Sequence, residues 1–484
     1  MTHDIVIAGA TVVTVDPDRR VLADGWIAID GARIVALGSG NAPQGRQRID
    51  GHGMLAIPGL IDAHSHAGHG LIRAAGEGDG DVWFDICEAI YARHSTPDFW
   101  YAEARLAQLE RLQAGVTTAV SLLGGGADVM RTDDTAAGDA HCRATVESGL
   151  RTIMAVGPGR VPFPKAFARL SADGDWQDVA LDFDTQMAVS AELIDRWNDV
   201  LDRRTGVALI LPVYTAAHLA DPALGSAIRA MAAAMAQLRD HKQVIFTQDG
   251  HRAGSIAVAR ELGLLGPWAA LSHSVDLTED DFRALKETGA AIVHNPSAIM
   301  SILGRCPVPE LIEAGVTVCL GSDAGAPDRG FDMFRHMAQC MHYHRRHFRE
   351  PAVLPEGKVL EMATIDAARA LGLNDELGSL EVGKRADIVL VDSRKAHLWP
   401  PVMPLNRLTH FASAADVDTV MVNGQVLMQN RSIAHLDVPG ILTAASAEAD
   451  AAFSRAGYPA ARSEDATLWR VARRGKAAFR PAGD

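Results

Sequence analysis

Two histidines one residue apart follow a run of strand-forming residues at positions 56–63. Alternate residues of a strand point to the same side, so the imidazoles of His64 and His66 can face one point. Imidazole nitrogen is a ligand that suits Zn²⁺, Fe²⁺, Mn²⁺ and Co²⁺. Such an ion, when it keeps an open coordination position, lowers the pKa of bound water toward ~7. The pair therefore predicts a metal site that supplies hydroxide at neutral pH.

Four later runs of strand-forming residues also end in side chains that bind metals or move protons. These side chains are Gln248, Asp249 and His251 in one segment, followed by His273, His294 and Asp323 in the other three. Each one alone could be a hydrogen-bonded core residue, a turn residue or a helix cap. Their shared position at the ends of strands favours one common site.

Eight strand-like runs alternate with long helix-like connections in the middle of the chain. They cover residues 56–63, 117–121, 152–156, 207–211, 244–247, 269–272, 290–293 and 316–320. Eight strand-then-helix units are what a closed (β/α)₈ barrel requires, and the carboxyl ends of its strands meet at one mouth. The pattern predicts an α/β fold with a TIM-like (β/α)₈ barrel at residues 59–380, whose mouth collects the metal-binding side chains.

Short strands also occur near both ends of the chain. Residues 1–58 and 381–440 contain brief runs of β-branched residues between glycine and aspartate turns. We expect the two segments to form one small, discontinuous β-sandwich domain, because each would cover the other's open edge. Residues 441–484 are rich in alanine and are predicted to form a helical extension.

The composition argues against nucleic acid and anionic membranes as partners. The 484-residue chain has a formal net charge of −14, whereas phosphate binding needs clustered Lys and Arg. No apolar run approaches the ~20 residues that cross a bilayer, and the first residues lack a signal-peptide pattern. Five cysteines without paired spacing indicate reduced thiols. We therefore expect a cytoplasmic protein that acts on a small molecule, and we also predict a homo-oligomer.

The segment Pro-Gly-Leu-Ile-Asp-Ala-His-Ser-His at positions 58–66 resembles the first-strand signature of the amidohydrolase superfamily. Residues 272–273, 293–296 and 321–323 are similar to the later strand ends of that family. Residues 378–389 resemble its re-entry into the small β domain. The branch that this chain resembles contains cytosine, guanine and S-adenosylhomocysteine deaminases and the triazine hydrolases.

The resemblance implies roles for individual residues. His64 and His66 would ligate the metal. Asp323 would ligate it and accept the proton of the water, and His273 would hydrogen-bond the water or the substrate. One divalent ion is expected, because no lysine follows the fourth strand to bridge two ions. Zinc is expected first, with iron, manganese or cobalt as alternatives.

The fifth strand departs from the pattern of this family. The branch usually has His-x-x-Glu there, with the histidine as a ligand and the glutamate as a proton shuttle to a ring nitrogen. Here Gln248 stands at the ligand position and His251 at the glutamate position. Three interpretations stay open. Gln248 binds the metal through its amide oxygen, or a local shift brings His251 or Asp249 to the metal, or the ligand or the metal itself is lost.

The missing glutamate favours a chemistry other than ring deamination. Adding water to an aromatic ring needs a protonated ring nitrogen. An amide, urea or carbamate needs only its leaving nitrogen protonated, which His251 could do. Phenylurea and molinate hydrolases are similar to this chain in departing at strand five.

We therefore predict a metal-dependent hydrolase of a carbon–nitrogen bond other than a peptide bond. Its catalytic residues would be Asp323, His273 and His251. One alternative is a deaminase or dechlorinase of an N-heterocycle, and another is a metal-free, non-catalytic scaffold.

Further histidines and aromatic residues follow the strand ends. Those predicted to contact the substrate are His69, Trp83, His218 and His294. Four histidines on the helix after strand eight are predicted to lie at the surface or at an interface; they are His336, His342, His344 and His347.

Overall fold

The structure, a computed structural model, describes residues 2–75, 80–124, 130–171, 173–200, 202, 204–298, 300–326 and 329–458. The β-strands within these ranges are β1 (Thr2–Val13), β2 (Val21–Asp30), β3 (Arg33–Ser39), β4 (Gln44–Asp50), β5 (Met54–Pro58), β6 (Leu60–His66), β7 (Val116–Leu122), β8 (Arg151–Val156), β9 (Lys165–Leu170), β10 (Trp176–Leu181), β11 (Thr205–Ile210), β12 (Phe246–Gln248), β13 (Ala269–Ser272), β14 (Ala291–His294), β15 (Val318–Leu320), β16 (Ile388–Asp392), β17 (Val417–Val422) and β18 (Gln425–Met428).

The α-helices within the same ranges are α1 (Gly80–Glu88), α2 (Pro97–Gln113), α3 (Ala136–Ser148), α4 (Phe183–Trp197), α5 (Ala216–Ala220), α6 (Pro222–Lys242), α7 (Ser255–Glu261), α8 (Glu279–Thr288), α9 (Met300–Leu303), α10 (Val308–Glu313), α11 (Met333–Phe348), α12 (Glu356–Met362), α13 (Ile365–Ala370), α14 (Pro404–Asn406) and α15 (Val438–Arg455). Short 3-10 or π-helical turns lie at Gly70–Ile72, Ala89–His94, Ala396–Leu398, Arg407–Phe411 and Ala414–Asp416.

Several helices begin at residues whose side chains cap free backbone N–H groups. Thr96 accepts a hydrogen bond from the backbone of α2, and Asp182 does the same for α4. Thr278 and Asp281 form a reciprocal capping box at the start of α8, which ends at Gly289 in the left-handed conformation. Such caps fix where each helix starts and stops. They therefore also fix where the loops at the strand ends lie.

The central sheet is the predicted (β/α)₈ barrel. Its strands β6, β7, β8, β11, β12, β13, β14 and β15 pair in parallel in the order of the sequence. A parallel bridge between Ser65 and Asp323 joins the end of the last strand to the first, and the Asp323 N–H donates to the His64 carbonyl at 3.0 Å. All eight strands are buried along most of their length, as parallel strands covered on both faces must be.

Side chains along the barrel strands alternate between the interior and the helix layer. The interior cluster includes Ala63, Ile210 and Val293. Residues of α13, among them Ala367 and Ala370, belong to the same cluster and close the barrel at the end away from the mouth. The mouth therefore opens at the carboxyl ends of the strands, as the sequence predicted.

Strands from both ends of the chain form a second sheet. Its order is β18-β17-β16-β5-β1-β2-β3, and β4 pairs with β1. β16 joins the two halves by pairing antiparallel with β5. All of these strands belong to one hydrogen-bonded sheet, because the twelve-residue β1 pairs with β2 along one side and with β4 and then β5 along the other.

The helix α15 packs against α2 and against the helical turns Gly70–Ile72 and Ala89–His94, which lie between β6 and β7. Its buried residues, Ile441, Ala445, Ala449, Ala452 and Phe453, recur at helical spacing and form one apolar stripe. Residues 459–484 of the predicted helical extension lie outside the described residues. Within the described ranges, no helix is both long and apolar enough to cross a membrane.

Candidate metal centre

His64 and His66 stand at the end of β6 and are both buried. The His66 Nδ1 lies 3.0 Å from the carbonyl oxygen of Gly124, to which it donates. A histidine that donates from one ring nitrogen to a carbonyl presents the other nitrogen to a metal. The Nε2 atoms of both histidines lie beside the carboxylate of Asp249, at 3.3 Å for His64 and 3.5 Å for His66.

Asp323 follows β15 and lies across the mouth from Asp249. Its Oδ1 is 3.2 Å from His66 Nε2, and its Oδ2 accepts a hydrogen bond of 2.7 Å from Arg329. Burial acts to raise the pKa of the Asp323 carboxyl. The hydrogen bond with His66 and the charge of Arg329 outweigh burial and hold that pKa well below its usual range. Asp323 is therefore an ionised carboxylate with a fixed orientation.

His273 follows β13 and places its Nε2 3.0 Å from Asp249 Oδ1. Burial acts to lower the pKa of His273, but the hydrogen bond to Asp249 outweighs it and the pKa is raised. On the other side of the ring, Nδ1 lies 3.5 Å from the side-chain amide of Asn295. Asn295 therefore holds the orientation of His273, a role that the sequence analysis did not assign.

Asp249, and not Gln248, enters the cluster of imidazoles. The strand-five residues alternate, so Gln248 points away from the side that Asp249 shares with Thr247. The Gln248 amide nitrogen donates to the backbone carbonyls of Leu211 and Pro212 at 3.2 and 3.1 Å. The Gln248 amide oxygen is buried without a hydrogen-bond partner among the described residues. Gln248 and Asp249 therefore both stay predicted metal ligands, with Asp249 the one that contacts the imidazoles.

The donor set fits one transition-metal ion. Two overlapping triplets, His64, His66 and Asp249, and His64, His273 and Asp323, each have their ligand atoms within 4.8 Å of one another. The closest contacts of Asp249 with the three imidazoles are 3.0 to 3.5 Å. Two ligands at ~2.1 Å from a tetrahedral ion lie roughly 3.4 Å apart, so the spacing matches a shared ion. Imidazole nitrogen and carboxylate oxygen suit zinc, iron, manganese or cobalt.

The electrostatics of the mouth also favour a cation. Burial acts to lower the pKa of His66, yet its hydrogen bond to Asp323 and the charge of Asp249 raise that pKa to about 9. A buried site that stabilises imidazolium so strongly stabilises positive charge in general. The two carboxylates would therefore offset much of the charge of a divalent ion.

His251 does not have the surroundings of a catalytic acid. It is fully buried, and its Nδ1 lies 2.9 Å from the Ser255 hydroxyl. Burial lowers the pKa of His251 to about 3, in spite of the nearby Asp281 and Asp249. The imidazole is therefore neutral at neutral pH, and the predicted leaving-group acid is not supported. Its backbone N–H donates to the Ser272 carbonyl, so His251 joins strands five and six.

A group of aromatic rings lies beside the candidate ligand His66 at the end of β6. His69 stacks on His66 with ring centroids 4.9 Å apart, and it contacts Tyr91 and Trp83 at 4.7 and 5.7 Å. Trp83 is 8% exposed, whereas the next residue, Phe84, is 55% exposed. The structure therefore brings His69 and Trp83 beside the mouth, where their contact with a substrate remains a prediction.

His218 lies in α5, and His294 is the last residue of β14. His218 is half-buried, and its Nδ1 accepts a hydrogen bond from the Thr215 backbone at the start of α5. His294 points out of the barrel, because its neighbour Val293 occupies the interior, and its ring lies 5.4 Å from that of His344. The substrate-binding prediction for His294 is therefore not supported.

The four histidines of α11 divide into two pairs. His342 and His347 are exposed, as predicted, whereas His336 and His344 are fully buried. The buried pair lies on the stripe that α11 packs against the barrel.

A buried polar network supports the two strands that carry the main ligands. Asp62 accepts hydrogen bonds from the backbone and the hydroxyl of Ser322 at 2.8 and 2.5 Å. Arg111 donates to the Ser65 hydroxyl at 2.6 Å and to the His66 carbonyl at 3.2 Å. The network therefore joins the ends of β6 and β15 across the closure of the barrel.

Glu103 anchors the loop that carries His69. Its Oε1 accepts hydrogen bonds from the backbone N–H groups of Gly70 and Leu71 at 2.6 and 3.2 Å, and its Oε2 accepts one from the Tyr91 hydroxyl at 2.8 Å. Burial raises the pKa of Glu103 to about 7, against the effect of these hydrogen bonds. The folded protein therefore favours the protonated carboxyl.

We expect Glu103→Gln to change the pH dependence of stability. The folded-state pKa of Glu103 is raised, so its contribution is fully present below pH ~4.5 and is lost as the pH rises through about 7. The unfolding free energy of the parent should fall by about 3 kcal/mol more than that of Glu103→Gln over this range. Denaturant titrations from pH 4 to 8 measure the difference, and Glu88→Gln, an exposed neighbour on α1, is the matched control. Parallel curves for the parent and Glu103→Gln would contradict it.

Three comparisons with known proteins bear on this site. The sequence profile of the amidohydrolase family matches residues 55–427. A relative from Pelotomaculum thermopropionicum, named 5-methylthioadenosine/S-adenosylhomocysteine deaminase, is 31% identical over 461 residues, which cover 92% of this chain and 98% of the relative. An adenosine deaminase from Xanthomonas campestris with bound zinc has the same fold, with a TM-score of 0.78, 23% identity and coverage of 94% and 99%.

A variant of atrazine chlorohydrolase from Arthrobacter aurescens, solved with zinc and atraton, is also similar. Its TM-score is 0.76 at 25% identity, and the alignment covers 92% of this chain and 100% of that one. The family profile includes all eight barrel strands and every candidate ligand. It confirms the predicted class of enzyme, a hydrolase of carbon–nitrogen bonds other than peptide bonds: this chain belongs to the amidohydrolase family.

Proposed function

We propose that this protein is a metal-dependent hydrolase that cleaves an amide, urea or carbamate C–N bond in a small molecule. The observation that carries the proposal is the convergence of five buried or nearly buried donors on one point. They are His64, His66, Asp249, His273 and Asp323. A metal-free scaffold would have no reason to keep so many buried imidazoles beside carboxylates.

A bound ion would lower the pKa of a water molecule and polarise the carbonyl group of the substrate. His64, His66, Asp249 and Asp323 would hold the ion. Asp323 accepts the proton of the attacking water, because its carboxylate is ionised and Arg329 fixes its orientation. His273, whose Nε2 contacts Asp249 in this structure, would donate from that nitrogen to the oxygen on which negative charge develops when Asp249 holds the ion.

The proton transfers assigned to Asp323 also favour an amide, urea or carbamate substrate. In an acyclic amide, urea or carbamate, the nitrogen that must be protonated leaves from the carbon that the water attacks. A single carboxyl can therefore take the proton from the water and return it to that nitrogen. The neutral His251 is not needed for this step.

The second candidate is deamination of an aminated N-heterocycle, with dechlorination of a similar ring as a variant. The relative named as a methylthioadenosine and S-adenosylhomocysteine deaminase favours it. Ring deamination protonates two nitrogens, one in the ring and one that leaves. The carboxylates that the described residues offer at the mouth are Asp249 and Asp323, and the proposal uses both as ligands. Ring deamination is therefore the second candidate, because these two carboxylates leave no separate acid among the described residues to protonate the ring nitrogen.

A substrate panel separates the two candidates. N-aryl ureas, carbamates and amides would be assayed for amine release, and adenosine-type nucleosides and aminotriazines for ammonia release, with chlorotriazines assayed for chloride. We expect kcat/KM for amine release to exceed that for ring deamination by roughly 10²-fold or more, the usual contribution of one well-placed acid. Faster release of ammonia or chloride than of amine would make the second candidate correct.

Other properties follow from the charge, the cysteines and the similar proteins. Zinc is the ion of first choice, because both similar solved structures contain it. The net charge of −14 supports a small-molecule substrate without nucleic acid or membrane partners. Reduced cysteines support a cytoplasmic location, and a homo-oligomer remains our prediction.

A further inference from the structure

A second cluster of metal-binding side chains lies outside the barrel, between β14 and α11. Cys340 and His344 are one turn apart on α11 and share one face of the helix. His294, the last residue of β14, meets them there. One ligand atom from each residue lies within 4.8 Å of the other two, and all three residues are fully buried.

The two imidazoles of this cluster lack hydrogen-bond partners within the described part of the chain, as do those of His69 and His141. Neither ring nitrogen of His294 or of His344 has a hydrogen-bond partner among the described residues. His336, on the same helix and equally buried, lies within hydrogen-bond distance of the Ser297 hydroxyl and the Gly330 carbonyl. Buried polar groups in folded proteins are nearly always partnered, so four unpartnered nitrogens indicate a missing ligand. His64, a candidate ligand in the mouth, shows the same state.

We infer that His294, Cys340 and His344 bind a second transition-metal ion of the zinc class, which joins the seventh barrel strand to α11. Imidazole nitrogen and thiolate sulfur together are the ligands of structural zinc sites. One thiolate and two neutral imidazoles would offset one of the two charges of a divalent ion.

This site differs from the mouth in its donor atoms. The mouth offers nitrogen and oxygen, whereas the outer cluster adds sulfur. The prediction of one ion therefore applies to the mouth, and the outer cluster brings the expected total to two per chain. On binding, the coordinating thiol loses its proton to solvent while the metal–sulfur bond forms.

Cobalt substitution tests the inference on the intact protein. The metal would be removed with a chelator and replaced with Co²⁺, and the visible and near-ultraviolet spectrum would be recorded with the ion content. We expect two ions per chain and a thiolate-to-cobalt charge-transfer absorption. Cys340→Ser and His344→Gln should each remove one ion and most of that absorption, with the mouth ion and turnover retained.

Matched controls keep each variant interpretable. Cys142→Ser removes another buried thiol, and His347→Gln alters an exposed histidine of the same helix; both should keep two ions and the full absorption. If Cys340→Ser fails to fold, the ion content and the spectrum of the parent protein still test the inference. Parent protein that binds one ion and shows no thiolate absorption would overturn the inference, as would unchanged spectra in both cluster variants.

Discussion

Asp323→Asn is expected to lower kcat by roughly 10²–10⁴-fold, the range for loss of a general base. The amide keeps the shape of the side chain but has neither the charge nor the basicity of the carboxylate. Asp323 is also the residue that His66 and Arg329 both contact, so no neighbour has its combination of charge and position. Steady-state kinetics on the preferred substrate of the panel, with metal content measured in the same samples, give the result.

The matched control for this substitution is Asp280→Asn, which makes the same chemical change on the exposed surface of α8. It should keep the turnover of the parent. Circular dichroism of Asp323→Asn should match the parent, because the barrel core does not depend on this side chain. Turnover within a few-fold of the parent, at full metal content, would assign water activation to a different residue.

The second large effect is expected at strand five. Asp249→Ala should weaken metal binding at the mouth by at least ~10²-fold, beyond the 10–100-fold that is typical for partners outside the ligand set. Its carboxylate lies within 3.5 Å of the Nε2 atoms of His64, His66 and His273. Competition with a chromophoric chelator measures the affinity of the mouth.

Gln248→Ala is the matched control, because the same truncation is made one residue away. It should retain the mouth ion, since the Gln248 amide hydrogen-bonds to the backbone at the end of β11. Loss of the ion in Gln248→Ala but not in Asp249→Ala would make Gln248, and not Asp249, the ligand. Tighter binding in Gln248→His would point the same way, because imidazole is a better donor than an amide oxygen.

The barrel could be predicted from the sequence because its pattern is repetitive. Eight apolar runs separated by helical segments leave few arrangements, and the structure pairs them in that order. His64, His66, His273 and Asp323 followed from their positions at strand ends, which the fold brings together whatever their separation in the chain. The small sheet was less predictable, since the number of sheets depends on how β1 divides its edge between β4 and β5.

The placement of His294 was an error at the site. Motif similarity put His294 in the mouth, but strand alternation puts Asn295 on the inner side. The alternation of Val293 with its neighbours was a signal that could have corrected this error. Arg329 had no such signal, because it lies in a loop whose path the sequence pattern does not determine.

The prediction that the α11 histidines lie at the surface was wrong for His336 and His344, and for a different reason. His336 and His344 share a stripe with Met337, Cys340 and Met341, so helical periodicity could have predicted that they face the barrel. A histidine-rich sequence suggested an exposed helix instead. Periodicity is the better guide here, because packing against the barrel decides which side of the helix is buried.

The most direct test of the mouth as a metal centre is an anomalous difference map from crystals of active protein, collected at the absorption edge of the bound metal. We predict a peak at ~2.0–2.2 Å from the Nε2 atoms of His64 and His66 and from a carboxylate oxygen of Asp249. A mouth without a peak in catalytically active crystals would contradict the account. A peak coordinated by Gln248 with Asp249 outside the coordination sphere would contradict it as well.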